Sequence, residues 1–283
     1  MKFCFFGYDH TLDVMQRLLN DGHEAVQVFT FKCDNHYSYN KEIKALCAQQ
    51  NIPITQGKIT SENITTLIDK GCALFLSSGY PYKIPPIDEN KAYGLNIHPT
   101  LLPRARGIMP QPYVIMDEPE AAGFTIHKLT QDYDAGDILF QKSTPLDDTT
   151  DIETLAARIS VNMPAGASEV VNDIETYWQN AKPQNAEDAS YYNEPDTVFR
   201  TLHWNDPIET LLKKGRAFGR YGVFANVTNR FGQNQKLAVF AFNGWKEHHN
   251  HEPGTLIRSF PREITIAVNG GFLCLKEFTP IKI

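Results

Sequence analysis

Strand-sized apolar runs alternate with amphipathic helical segments through the first half of this chain, and that alternation restricts the fold more than any other feature. Lys2 to Phe6 is a short apolar strand ending at Gly7. Thr11 to Asn20 follows with Leu12, Met15, Leu18 and Leu19 at helical spacing, and Gly22 just beyond marks a stop. Ala25 to Phe31 is strand-like, and Asn40 is placed to cap a helix carrying Ile43, Leu46 and Cys47. After a strand at Ile52 to Thr55, Ser61 is placed to cap a helix with Ile64, Leu67 and Ile68 on one face. Ala73 to Leu76 is a continuous apolar run of the kind a doubly covered strand needs. Repeated β-α-β units specify an α/β fold, a Rossmann-like, mostly parallel sheet with helices on both faces.

The second half reads differently. Gly123 to Leu129 and Ile138 to Leu146 are strand-like, and Ile152 to Trp178 is a long helix with Pro164 as its expected break. From Asn180 to Asp196 the apolar pattern gives way to Asn, Pro, Asp, Glu and Tyr, a linker composition. Beyond a short helix at Ile208 to Phe218 come strand-sized segments at 223–227, 237–242, 255–257, 264–268 and 272–278, as expected of a small β-barrel-like domain. The expected division is therefore a catalytic domain over 1–180, a linker over 181–200 and a small, mainly β domain over 201–283.

The net charge of −6 disfavours a wide basic surface for a polyanion, although a local basic patch survives an acidic average. Five scattered cysteines with no C-x-x-C pair fit buried thiols in a reducing compartment. The opening apolar run is too short for a signal peptide, and no stretch approaches a membrane span, so a cytoplasmic location without membrane attachment is expected. G-Y-D-H-T-L after the first strand lacks the further glycines of a dinucleotide fingerprint. The run His248-His249-Asn250-His251 lacks the spacing of a metal site, and no metal is expected.

In open α/β sheets ligands bind at the carboxyl ends of the strands. Three loops fall at such ends: Ser77 to Tyr82, Asn96 to Gly107, and Gln131 to Ile138. Asn96 and His98 stand two apart, so an extended backbone turns both side chains to one side. An amide donor and an imidazole together can polarise a carbonyl and handle its proton. Asp134, in D-A-G-D, is the carboxylate able to orient the imidazole, with Gly136 permitting the turn that aims it inward. Residue type and spacing leave open whether these three are catalytic or only cap a strand end and form a turn.

The ordered run L-N-I-H-P-T-L-L-P-R-A-R-G, then G-F-T-I-H-K-L at 123–129 and D-Y-D-A-G-D-I-L at 132–139, closely resembles the folate-dependent formyltransferases. L-H-W-N-D-P-I-E at 202–209, R-A-F-G-R-Y-G at 216–222 and H-E-P-G-T at 251–255 resemble the small domain that follows in methionyl-tRNA and amino-sugar formyltransferases. The resemblance implies a 10-formyltetrahydrofolate co-substrate and an amine acceptor that react through a tetrahedral intermediate. It implies Asn96 and His98 as oxyanion stabilisers, Asp134 as their charge partner, and Ser78, Gly79, Tyr80, Gln131, Asp132 and Tyr133 around the folate. His127 resembles the histidine of sugar-nucleotide enzymes, and with the acidic average it points to a nucleotide-linked amino sugar of the dTDP-4-amino-4,6-dideoxyglucose type, used in surface polysaccharide synthesis. Methionyl-tRNA formyltransferase is the alternative reading, with nucleic acid disfavoured by the charge, and a formyltetrahydrofolate hydrolase is the second alternative. Arg104 and Arg106 either meet acceptor phosphate or anchor their loop. Tyr221, Trp245 and Lys246 are candidates for the nucleotide, set at turns by Gly222 and Gly244. Family analogy gives a homodimer.

Overall fold

Five short segments become parallel strands: β1 (Lys2–Phe6), β2 (Glu24–Thr30), β3 (Ile54–Gln56), β4 (Leu74–Ser78) and β5 (Tyr93–His98). The computed structural model describes residues 1–281. Between these strands run α1 (Leu12–Asn20), α2 (Lys41–Gln50) and α3 (Ser61–Asp69). There follow β6 (Arg106–Gly107), α4 (Gln111–Met116), β7 (Gly123–Lys128), β8 (Ile138–Ser143), α5 (Ile152–Asn172), α6 (Ile174–Gln179) and β9 (Tyr191–Tyr192). Strands β7 and β8 add antiparallel to give the order β3-β2-β1-β4-β5-β7-β8. This is the Rossmann-like, mostly parallel sheet that the β-α-β alternation specifies.

The apolar composition of β1 and β4 follows from cover on both faces. Phe3, Phe5, Phe6, Leu74, Phe75 and Leu76 are all fully buried. On one face Phe6, Phe29 and Phe75 pack with Ile64 and Leu67 of α3. Phe6 stacks on Phe29 with ring centroids 5.3 Å apart. All five cysteines are free and buried.

Helix termini differ from the sequence reading in three places. Thr60, not Ser61, caps α3: its hydroxyl accepts from the Asn63 amide, and the Asn63 side chain returns to the Thr60 amide. Asn40 flanks α2 but its side chain donates to Phe31 O at 2.6 Å. The orphan amides of Glu42 and Ile43 instead meet the Asp9 carboxylate, 3.1 and 2.9 Å away. Pro164 lies inside α5 without ending it, and the break falls at Asp173. A proline removes one backbone rung, and the buried side chains Ile159, Met163, Ala167 and Val170 hold the helix on either side of it.

The chain divides into two compact units: Met1–Pro110, Glu120–Pro145 and Ala156–Tyr191 form the first, and Gln111–Pro119, Leu146–Leu155 and Tyr192–Ile283 the second. The second contains α7 (Ile208–Phe218), β10 (Val223–Thr228), β11 (Asn234–Lys246), β12 (Leu256–Phe260), β13 (Glu263–Val268) and β14 (Gly271–Ile281). Its strands form an antiparallel sheet in the order β10-β11-β14-β13-β12. Tyr113 of α4 stacks between Tyr192 and Phe199 in this unit, at 4.1 and 4.6 Å. Gly244 sits within β11 rather than at a turn. A Cβ there would lie 2.5 Å from Phe272 O, so the missing side chain lets β11 and β14 close on each other.

Candidate functional site

Strand β5 delivers Asn96 and His98, and antiparallel pairing with β7 sets His127 directly opposite Asn96. The loop after β7 returns Asp134 to the same place. Asp134 adopts a left-handed backbone (φ 55°), so the turn residue is the aspartate itself. Gly136 serves by its size instead. A Cβ on it would stand 1.9 Å from Lys128 O.

The L-L-P-R-A-R-G segment folds into a hydrogen-bonded loop beneath His98. Thr125 Oγ1 donates to Thr100 O (2.7 Å) and accepts from Leu102 N (3.0 Å) and Gln141 Nε2 (2.9 Å). The Thr100 hydroxyl approaches Ala105 O at 3.1 Å. Ala105, also left-handed (φ 52°), aims this carbonyl at His98 Nε2, 2.9 Å away.

These contacts fix protons by elimination. A carbonyl only accepts, so His98 Nε2 carries a hydrogen. Nδ1 of the same ring lies 3.3 Å from Asp134 Oδ1. The carboxylate thus faces the one ring nitrogen that Ala105 O does not occupy, and the two side chains form a His–Asp pair. Asp134 Oδ2 accepts from Gly107 N at 3.0 Å. With side chains 5% and 11% exposed, the pair is shielded from water, where such contacts gain strength.

His127 is assigned by the same reasoning. Its Nδ1 donates to Lys128 O at 2.9 Å, which leaves Nε2 as an acceptor for Asn96 Nδ2 at 3.1 Å. The imidazole thereby dictates that Asn96 presents its amino group, not its oxygen. The second Asn96 N–H has no hydrogen-bond partner among the described residues and is free to donate to a substrate carbonyl. Burial pushes the His127 pKa down to about 4; the Asp134 carboxylate opposes this, and the His98 charge reinforces it.

A depressed histidine makes stability depend on pH in one direction. Below its ordinary value of 6.5 the unfolded ring takes up a proton that the folded ring refuses, down to about 4. Stability is therefore lost as pH falls through that window. Thermal melts from pH 7 to 4 are expected to drop more steeply for the wild type than for His127→Gln, which keeps an acceptor for Asn96 and does not titrate. Parallel slopes would contradict the assignment.

The residues expected around a folate line two neighbouring loops. Ser78, at the end of β4, is buried, and its carbonyl accepts from Thr11 Oγ1. Gly79 is left-handed (φ 68°). Tyr80 is largely built into the core: its ring lies 5.2 Å from that of Phe6, its hydroxyl donates to Gly57 O, and burial raises its pKa to about 12. Gln131, Asp132 and Tyr133 are exposed, and Lys83 Nζ sits 5.6 Å over the Tyr133 ring, which brings the two loops side by side.

Several acceptor candidates already have partners. Arg104 pairs with Glu120, and Arg106 donates to Gln184 Oε1 from both Nε (3.1 Å) and Nη2 (2.6 Å). Tyr221, Trp245 and Lys246 belong to the second unit. Arg220 lies over the Tyr221 ring, Trp245 stacks on Phe272 and donates to Glu247, and Lys246 pairs with Glu209. Trp245 and Lys246 lie in β11, not at the turn expected from Gly244. His249 Nε2 contacts the carbonyls of Val268 and Gly271, and no group of three or more His, Cys, Asp or Glu among the described residues is placed to hold a metal ion. No helix among the described residues is long and apolar enough to cross a membrane.

Sequence reasoning missed Gln184 and Ser190, which carry no motif. Ser190 Oγ accepts from Ala105 N at 2.7 Å, and Ser190 O accepts from Arg106 N at 3.0 Å.

Residues 16–171 match the family model described as formyl transferase, and residues 197–282 match the formyl transferase C-terminal domain. A methionyl-tRNA formyltransferase of Treponema denticola is 28% identical over 214 residues, spanning 75% of this chain and 58% of that protein. One from Bacillus licheniformis is 27% identical over 96% of this chain and 88% of its own length. The structure of an N-formyltransferase from Helicobacter canadensis, solved with folinic acid and dTDP-3-aminofucose, superposes with a TM-score of 0.70 at 14% identity, covering 98% of this chain and 99% of that one. With one model covering more than half of its residues and a second covering its C-terminal sheet, the chain belongs to the formyl transferase family.

Proposed function

We propose that this chain moves a formyl group from 10-formyltetrahydrofolate to an amine, with Asn96, His98 and Asp134 at the reacting centre. The observation that carries this reading is the free Asn96 N–H beside the His98–Asp134 pair. When the uncharged amine attacks the formyl carbon, negative charge develops on the formyl oxygen. A preorganised amide donor stabilises that charge at no reorganisation cost. The attacking nitrogen must also lose a proton, and we assign the Asp134 carboxylate to receive it; collapse of the tetrahedral adduct then breaks the bond between the formyl carbon and the folate nitrogen, which leaves carrying that proton as tetrahydrofolate. Both ring nitrogens of His98 are engaged by Ala105 O and Asp134. We therefore assign His98 the task of setting the charge of Asp134 and leave direct oxyanion contact to Asn96, which modifies the role implied by the motif. The folate supplies the formyl group, and the donor set fits a carbonyl substrate. The pterin pocket is assigned to the loops carrying Ser78 to Tyr80 and Gln131 to Tyr133, within the catalytic domain expected over 1–180.

Methionyl-tRNA is the acceptor we favour over the amino sugar expected from the sequence. The curated relatives named above act as methionyl-tRNA formyltransferases, one along 96% of this chain. The acidic average that weighed against tRNA also conceals an asymmetry. Residues 197–282 carry twelve Lys and Arg against six Asp and Glu, while residues 1–196 carry fifteen against twenty-seven. A basic C-terminal region is the electrostatic footprint that phosphate contacts require. The nucleotide-linked amino sugar is the second reading, favoured by His127 beside Asn96 and by the likeness to the Helicobacter canadensis enzyme.

Incubation with 10-formyltetrahydrofolate and either methionyl-tRNA or dTDP-linked amino sugars, followed by product mass, separates these readings. Formyl-methionyl-tRNA is the expected product. A formylated sugar nucleotide alone would transfer the assignment to the second reading, and formate released without either acceptor would identify a hydrolase.

A further inference from the structure

The polar stretch after α6, which carries no hydrophobic pattern, is stitched to both loops of the reacting centre. Lys182 pairs with Ile138 through two backbone hydrogen bonds of 2.8 and 2.9 Å. Two residues on, Gln184 Nε2 donates to Asp134 O (2.8 Å) and Gly136 O (2.7 Å), while its Oε1 accepts from Arg106. Farther along, Ser190 holds Ala105 and Arg106. One half-buried amide therefore joins the turn that carries Asp134 to the loop whose Ala105 carbonyl fixes His98.

We propose that Gln184 is a positioning residue for formyl transfer, locking the left-handed Asp134 turn so that its carboxylate meets His98 Nδ1 and Gly107 N. The inference rests on the proposed role of Asp134. Both amide hydrogens of Gln184 are consumed by carbonyls of that turn, and its oxygen is consumed by a guanidinium. Such a side chain has one orientation that satisfies all four bonds, since an amide flip would set oxygen against two carbonyls. Without it, Asp134 keeps its unfavourable backbone conformation, held by Gly107 N, by His98 and, at 3.7 Å, by His127 Nε2.

Two variants separate positioning from bulk. Gln184→Glu keeps the side-chain volume and the Arg106 contact but meets the two carbonyls with an oxygen; Gln184→Met loses both sets of bonds. Each is expected to lower kcat on the order of ten- to a hundredfold, because small misplacements of reacting groups carry large rate costs. Each should leave KM for both substrates within about threefold and displace the pH–rate profile, since the turn that sets the carboxylate against His98 Nδ1 and Gly107 N has moved. Variants that keep kcat within about twofold and an unshifted profile would overturn the proposal. If either variant fails to fold, hydrogen exchange of the Gln184 side-chain amide in the wild-type protein decides. Protected amide hydrogens are expected, and free exchange sinks the positioning role. A wild type that transfers no formyl group would sink the proposed reaction instead, so the two failures are distinguishable.

Discussion

Asn96→Ala is expected to lower turnover on the order of a hundred- to a thousandfold, the usual cost of losing one oxyanion donor, with little change in Tm. Asn96 is half-buried at the end of β5, and its amide makes one hydrogen bond to protein, to His127. Its removal leaves the sheet register intact. His98→Ala should cost turnover by a comparable factor through a different route. With the ring gone, Asp134 loses its partner at 3.3 Å, and Ala105 O loses a donor. Steady-state kinetics of both variants, beside their melting curves, check this pair. An Asn96→Ala enzyme with a near-normal rate would remove Asn96 from the reacting centre.

Gly136→Ala is expected to damage stability and activity together. The new Cβ would stand 1.9 Å from Lys128 O and 2.8 Å from the carbon of the same carbonyl. Overpacking a buried site of this kind costs about 1–3 kcal/mol. The displaced group is not idle, because Lys128 O accepts from His127 Nδ1, and His127 in turn orients Asn96. A methyl group at Gly136 is therefore connected to Asn96 through one carbonyl and one imidazole. Turnover should fall on the order of ten- to a hundredfold alongside the loss of Tm, as expected when reacting groups are shifted by a fraction of an ångström or more. A variant with unchanged Tm and rate would contradict the tight packing at Gly136.

The parallel sheet was legible in the sequence because burial on both faces demands apolar runs, and Lys2–Phe6 and Ala73–Leu76 supply them. Asn96, His98 and Asp134 were legible because they sit in an ordered motif. What the motif did not reveal is how they are held. Asp134 itself takes a left-handed conformation in the turn that the sequence reading attributed to Gly136, and an aspartate tolerates that region when its backbone and carboxylate are both bonded. Gln184 and Asp9 act across long sequence separations with no periodicity to betray them. Pro164 and Gly244 misled for the opposite reason. Each carries a strong local signal that tertiary packing overrides, the first through the buried face of α5 and the second through the close approach of β14.

His127, a candidate for acceptor binding, has a side chain 2% exposed, and both ring nitrogens face groups of the protein, one of them Asn96. The guanidinium of Arg106 likewise has a protein partner, Gln184.

Formyl transfer at this centre is tested most directly by mass analysis of the acceptor after incubation with 10-formyltetrahydrofolate, run in parallel for wild type, Asn96→Ala and Asp134→Asn. The wild type is expected to yield an acceptor one formyl group heavier, and the two variants to yield it at least about a hundredfold more slowly. A product formed at equal rates by all three proteins, or no formylated amine from the wild type with any acceptor, would contradict the assignment of Asn96, His98 and Asp134 as the reacting centre.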